Sequence, residues 1–160
     1  MRFLKVINLV IICSFGYSAT IVVDLAGGGD YTSIYEAVDE AESGDTVLVM
    51  SGTYQLASSI EVDQELHIIG SGYDLPENGG TYLVGSTQIF NFTSNAGGSS
   101  FRGLRLDGYG APMVAINAND MMIENNYLRN SYSQGYIMVL SSVTSDTVRS
   151  NIIVFNENTS

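Results

Sequence analysis

Residues Gly27 to Tyr54 read GGGDYTSIYEAVDEAESGDTVLVMSGTY, and this stretch decides the fold. Ser33 followed three residues later by Glu36 fits a capping box, in which each side chain satisfies a backbone donor at the helix start. Ile34, Ala37, Val38 and Ala41 then fall at i, i+3, i+4 and i+7, a single apolar stripe. Gly44 stands where a left-handed C-terminal cap is wanted, which predicts a short α-helix over about residues 33–43. Thr46 to Met50 is a strand run closed by Ser51-Gly52. A helix thus runs straight into a strand, and Ile21-Val22-Val23 supplies another strand just before it.

Downstream the pattern is short strands broken by turns. Ile60-Glu61-Val62, Leu66 to Ile69 and Tyr82-Leu83-Val84 are strands, separated by the loop signals Gly70-Ser71-Gly72 and Pro76 to Gly80. The second half repeats. Phe90-Asn91-Phe92, Val114-Ala115-Ile116 and Met138-Val139-Leu140 recur at spacings of 24 and 24. A second strand follows each: Phe101 to Leu106, Ile123 to Leu128 and Val148 to Ile153, beginning 22 and then 25 residues apart. A period near 24 residues with two or three short strands per unit is what a β-solenoid coil needs. One coil cannot bury its own apolar side, so neighbours stack and share a core. An antiparallel sandwich would need two-residue hairpin turns, and Asp107-Gly108 leads instead into the longer Tyr109 to Pro112 loop. The fold class is therefore an all-β solenoid.

Alignment of the coils predicts which residues stack, about 4.8 Å apart. Phe92, Ile116 and Leu140 point inward, as do Phe101, Ile123 and Val148, and Leu106, Leu128 and Ile153. Asn126 and Asn151 share a position, the signature of an asparagine ladder at a coil corner, with Leu104 one coil earlier. Arg102, Glu124 and Arg149 form an outward column of alternating charge. Ile89, Met113 and Ile137 sit on the parity expected to face out. With Val139 they predict an apolar stripe that another segment or a partner must cover.

The strand Ile21 to Val23, the helix with its following strand, and the register GTY…I-x-V…L-x-I-I-G resemble the opening of right-handed parallel β-helix proteins of the pectin-lyase-like kind. The resemblance covers residues 21–72, roughly a third of the chain. It implies a right-handed parallel β-helix whose short N-terminal α-helix lies across the open end as a cap. It brings no catalytic residue with it.

Composition divides the chain further. Arg2 and Lys5, the apolar run Val6 to Phe15, and the small-x-small pattern Gly16-Tyr17-Ser18 read as a secretory signal peptide over residues 1–18. The alternative is an uncleaved N-terminal anchor. Cys13 follows the bulky Ile12, which argues against a lipoprotein signal. Cleavage leaves residues 19–160 with four basic residues, all arginine, against 17 acids, a net charge of −13. Such a surface repels nucleic acid and anionic membranes. The lone cysteine leaves with the signal, so the mature chain can form neither a disulfide nor a thiolate metal site, and His67 alone makes no histidine cluster. No metal or cofactor is implied. The expected location is secreted or at the cell surface, more bacterial than animal. Asn156 to Ser160 reads as the start of a turn, so residues 19–160 are read as the N-terminal part of a β-helix whose last rung further coils or a partner must cover.

Three functional readings follow from the resemblance and the residues. A polysaccharide lyase of this kind uses an arginine or lysine as base and calcium-bridged aspartates. Here no pair of aspartates recurs at one coil position, and Asp107 with Arg129 fits a cross-strand salt bridge better than an acid–base pair. A pectin-esterase-like enzyme needs a glutamine in a strand and an aspartate in a turn. Ala111 to Ala115 lacks the former, and Gln134-Gly135-Tyr136 lacks the latter. An enzyme would therefore need residues in later coils. The third reading is a scaffold or carbohydrate-facing surface, with Tyr109, Tyr127, Tyr132 and Tyr136 as candidate sugar contacts. Within it, Arg105 and Tyr127 share one outward column, and Asp107 and Arg129 share another two residues on. These four residues are the candidate polysaccharide site. Gly27-Gly28-Gly29 lacks the GxxxxGK pattern and is followed by Asp30, so it is no phosphate loop.

Overall fold

The computed structural model describes residues 17–85, 88–108, 112–130, 137–141 and 143–155. The expected signal peptide up to Gly16, the tyrosines Tyr109, Tyr132 and Tyr136, and the last five residues lie outside these. The chain opens with β1 (Thr20–Val23), α1 (Ile34–Glu40), β2 (Asp45–Val49), β3 (Gly52–Leu56), β4 (Ile60–Val62) and β5 (Leu66–Gly70). After a short 3-10 turn at Pro76–Asn78 come β6 (Thr81–Gly85), β7 (Phe90–Phe92), β8 (Ser100–Arg102), β9 (Leu104–Gly108) and β10 (Val114–Ile116). The last elements are β11 (Met122–Glu124), β12 (Tyr127–Asn130), β13 (Met138–Leu140), β14 (Thr147–Arg149) and β15 (Ile152–Phe155).

From β2 on, successive strands visit three sheets in rotation. The sheets run β1-β2-β5-β8-β11-β14, β3-β6-β9-β12-β15 and β4-β7-β10-β13. Every pairing between named strands is parallel. The chain is a parallel β-solenoid of about five turns, one of the few ways in which many short strands bury a common core without hairpins.

The helix is shorter than its apolar stripe suggests. Ser33 caps it, its hydroxyl accepting from the Glu36 N–H at 3.5 Å, and Ile34, Ala37 and Val38 are buried. It ends at Glu40, however, with Ala41 already extended at φ −70° and ψ 148°. Gly44 is not its cap. That glycine, at φ +91°, shapes the turn into β2, where its N–H donates to the Glu65 carbonyl. A cap at Gly44 would need the helix to run on, whereas Ala41 packs inward as extended chain and its carbonyl accepts from Gln64. The helix packs on β1, β2 and β4. Since β1 and β4 are the first strands of their sheets, α1 covers the N-terminal end of the solenoid.

Each strand that the periodicity shows as one unit from Phe101, Ile123 or Val148 is two strands in two sheets. Gly103, Asn125 and Ser150 sit at the break with φ of 67°, 54° and 55°. A left-handed residue turns the chain sharply and shifts the inward alternation by one position: Phe101 is buried, Arg102 and Gly103 are not, and Leu104 and Leu106 are buried again. At Gly103 only glycine serves, because a Cβ there would lie 2.8 Å from the Gly70 carbonyl oxygen of the coil before.

The residue after each bend starts the ladder. The Asn126 carboxamide accepts from the Leu104 N–H at 3.1 Å and donates to the Phe101 carbonyl at 3.1 Å and to Asn151 Oδ1 at 3.1 Å. Asn151 repeats this one coil on, accepting from the Asn126 N–H and donating to the Ile123 carbonyl at 2.8 Å. Thr81 does the same service earlier, its hydroxyl donating to the Val49 carbonyl at 2.9 Å. Buried corner backbone thus finds its partners from rung to rung.

The predicted stacks pair as expected. Ile116 lies between Phe92 and Leu140, Ile123 between Phe101 and Val148, and Leu128 between Leu106 and Ile153. Phe90, Phe92 and Phe101 fill the centre with ring centroids 5.6–5.7 Å apart. The expected outward stripe is a misreading. Ile89, Met113 and Ile137 are buried in the core beside the inward Phe90, Val114 and Met138 column. They precede β7, β10 and β13, at corners where strict alternation has not begun, so two neighbours turn inward. Only the strands obey the period of two.

Three substitutions test the core and the ladder. Ile116→Ala should cost about 2–5 kcal/mol in urea unfolding, and Leu140→Ala, in the same column but 46 % exposed on the last rung, under about 1.5 kcal/mol. Equal costs would refute a closed interior with an open end. Asn126→Ala strips the buried Leu104 N–H and Phe101 carbonyl of their partners and should cost about 1–3 kcal/mol for each orphaned group. An unchanged urea midpoint would mean that the ladder does not support the fold.

Candidate functional site

The stacking that aligns the core also aligns the outer faces. On the outside of the five-stranded sheet, Tyr82, Arg105 and Tyr127 stand opposite one another in β6, β9 and β12, as do Val84, Asp107 and Arg129. The four residues singled out by spacing are therefore neighbours, and a fifth joins them. Tyr82 was missed because the aligned repeats begin at Phe90. Its distance of 23 residues from Arg105 nevertheless matched the coil period.

The Arg105 guanidinium carbon lies 4.1 Å from the Tyr127 ring centroid and 5.3 Å from that of Tyr82. The cation is held between two aromatic rings, an arrangement worth about 0.5–1 kcal/mol per contact at exposed sites. Two rungs supply the rings because the rung spacing is close to a stacking distance. Arg102, Arg129 and Arg149 each meet a carboxylate, whereas Arg105 has no ion pair among the described residues. Its buried Nε has no hydrogen-bond partner among the described residues.

Next to this stack, Arg129 approaches Asp107 at 3.3 Å, and the Tyr82 hydroxyl donates to the same carboxylate oxygen at 3.0 Å. The Asp107–Arg129 pair is a cross-strand salt bridge. Burial, the bond to Asp107 and the negative charge there push the Tyr82 phenol above its ordinary 10.0, against the opposing pull of Arg105.

The charge column on the neighbouring sheet is structural. Glu124 is buried between Arg102 at 3.6 Å and Arg149 at 2.6 Å, both of them largely exposed. A second constellation went unnoticed in the sequence. His67 Nδ1 lies 3.1 Å from Ser100 Oγ, and Glu65 Oε1 lies 4.0 Å from His67 Nε2. A serine, a histidine and an acid in line suggest a nucleophile. These groups stand on the outer face of a parallel sheet in which β5 pairs with both β2 and β8, so the backbone N–H groups beside them are committed to the ladders rather than gathered on an oxyanion. The Ser100–His67 contact is a cross-strand hydrogen bond.

Among the described residues, no group of three His, Cys, Asp or Glu is placed to hold a metal ion, and no helix is long and apolar enough to cross a membrane. A groove of about 330 Å³ between α1 and β4 is lined by Glu36, Asp39, Glu61 and Asp63 over Val38 and Ile60. It lies on the first coil, away from Arg105. The Gly27 turn spends its neighbouring amides on one carboxylate: Ala26 and Gly28 both donate to Asp24. That leaves the turn no phosphate cradle.

The raised Tyr82 pKa fixes a pH response. The unfolded chain releases this proton first, near pH 10.0, so the stability from the neutral phenol is complete below that pH and is lost as pH rises through the folded value. In urea unfolding, Tyr82→Phe should lose stability less steeply than the parent chain above pH 10.0. Parallel curves would show that the phenol is not held neutral by the fold.

No protein-family model matches this chain, and comparisons with curated proteins and with solved structures find no match.

Proposed function

We propose that this chain is a scaffold and carbohydrate-facing module of a secreted, pectin-lyase-like β-helix protein. The observation that carries the reading is the Tyr82–Arg105–Tyr127 stack beside Asp107–Arg129. Sugar hydroxyls are read by planar, fixed donors and acceptors, and guanidinium and carboxylate groups on a rigid sheet supply both. Arginine held between rings gives up less side-chain freedom when it binds than a free one does. The strongly acidic surface elsewhere disfavours polyanions, so the expected ligand is a neutral or mildly acidic polysaccharide.

Titration of neutral and uronate-containing oligosaccharides by NMR, with residues 19–160, tests this. Binding should perturb the amides of β9 and β12 and disappear in an Arg105→Ala, Tyr127→Ala double variant that stays folded. No binding by the parent domain, or equal binding by the folded variant, would end the proposal.

A further inference from the structure

The sheets do not begin alike. At the first edge of the six-stranded sheet the chain folds back on β1, where the Val22 carbonyl accepts from the Asp30 and Tyr31 N–H groups at 2.8 and 3.1 Å. The four-stranded sheet begins at β4, which pairs with β7 alone among the described residues. The Ile60 N–H donates to the Ile89 carbonyl at 2.8 Å, and the Val62 carbonyl accepts from the Thr93 N–H at 2.9 Å. Both residues thus turn their backbone groups toward β7. Successive residues of a strand turn these groups to opposite edges, so those of Glu61 point away from β7. Neither the Glu61 N–H nor its carbonyl meets a partner among the described residues. The groove of about 330 Å³ beside α1 runs along this edge.

Charge says what fits there. Glu36 and Asp39 from α1 and Glu61 and Asp63 from β4 line the groove over Val38 and Ile60. None of the four carboxylates has an ion-pair partner among the described residues. A second copy brings no spare cation. Residues 19–160 hold no lysine, Arg102 and Arg149 are spent on Glu124, Arg129 on Asp107, and Arg105 lies between two rings. A single metal ion does not fit either, since no three acids among the described residues are placed to hold one. Spaced carboxylates beside an open strand edge match an extended chain whose own backbone pairs and whose side chains carry the positive charge.

We infer that the groove between α1 and β4 docks a short, extended, lysine- or arginine-bearing segment of a partner protein. Its backbone bonds the Glu61 N–H and carbonyl as an added strand. Its cationic side chains meet the four carboxylates, and its apolar positions face Val38 and Ile60. The groove lies on the first coil, away from Arg105, so this docking is independent of any carbohydrate at the stack.

The test titrates the protein, by NMR and calorimetry, with three probes: the end-blocked peptide Lys-Val-Lys-Val-Lys, its counterpart Glu-Val-Glu-Val-Glu, and spermine. The lysine peptide should bind, shift the amides of α1 and β4, and slow exchange of the Glu61 amide at least about tenfold, because pairing withdraws it from water. Spermine should bind more weakly and leave that amide fast, and the acidic peptide should not bind. Glu61→Gln with Asp63→Asn changes two exposed side chains, so the urea midpoint should hold while the lysine peptide weakens at least about tenfold. Salt provides a check that needs no variant: at about 1 M, where the screening length falls to about 3 Å, the parent should bind the lysine peptide far less well. Four results would overturn the inference: no binding of the lysine peptide, a Glu61 amide as fast with it as without, spermine binding equally well, or binding that ignores salt or the paired substitutions.

Discussion

Register at one corner is the constraint on which the rest of the molecule depends. Where the six-stranded sheet hands over to the five-stranded one, each later coil spends one left-handed residue, Gly103, Asn125 or Ser150, and follows it with a ladder position. The corner backbone is withdrawn from water, so its donors and acceptors need partners within the protein. Asn126 provides them to Leu104 and Phe101 at once. A slip of one residue would break those bonds and turn Phe101 and Ile123 to the outside. The ladder therefore selects the register as well as adding stability.

Stability in such a chain is shared between neighbours rather than owned by any coil. Phe92 and Phe101 are buried because the coils before and after them supply the walls. The same logic distinguishes the ends. The helix packs against the first coil where no earlier coil stands, and Val148 and Ile153, whose strands pair on one side only among the described residues, are 43 and 46 % exposed. The outer surface inherits this alignment. Arg105 lies between Tyr82 and Tyr127 because stacking in register places equivalent positions at a distance that suits a guanidinium between rings. A candidate binding surface thus arises from the repeat itself, without a cleft.

Periodicity alone determined a good deal: the solenoid, the capped helix, the stacking of Phe92 with Ile116, the ladder at Asn126 and Asn151, and the neighbours Arg105, Tyr127, Asp107 and Arg129. Each is a statement about which residues are equivalent from coil to coil, and equivalence is carried by spacing. Only the tertiary structure decided where side chains point at corners and what meets at depth. Ile89, Met113 and Ile137 turn inward because strand alternation does not hold before a strand begins. Gly44 shapes a turn because the chain after Glu40 packs as extended backbone. Tyr82 reaches Asp107 through folding, since its 23-residue spacing aligns it with Arg105 but not with Asp107 two positions on. A repeat is one-dimensional and survives in the sequence, whereas the direction of a side chain at a bend depends on a single φ and on what the neighbouring coil places beside it.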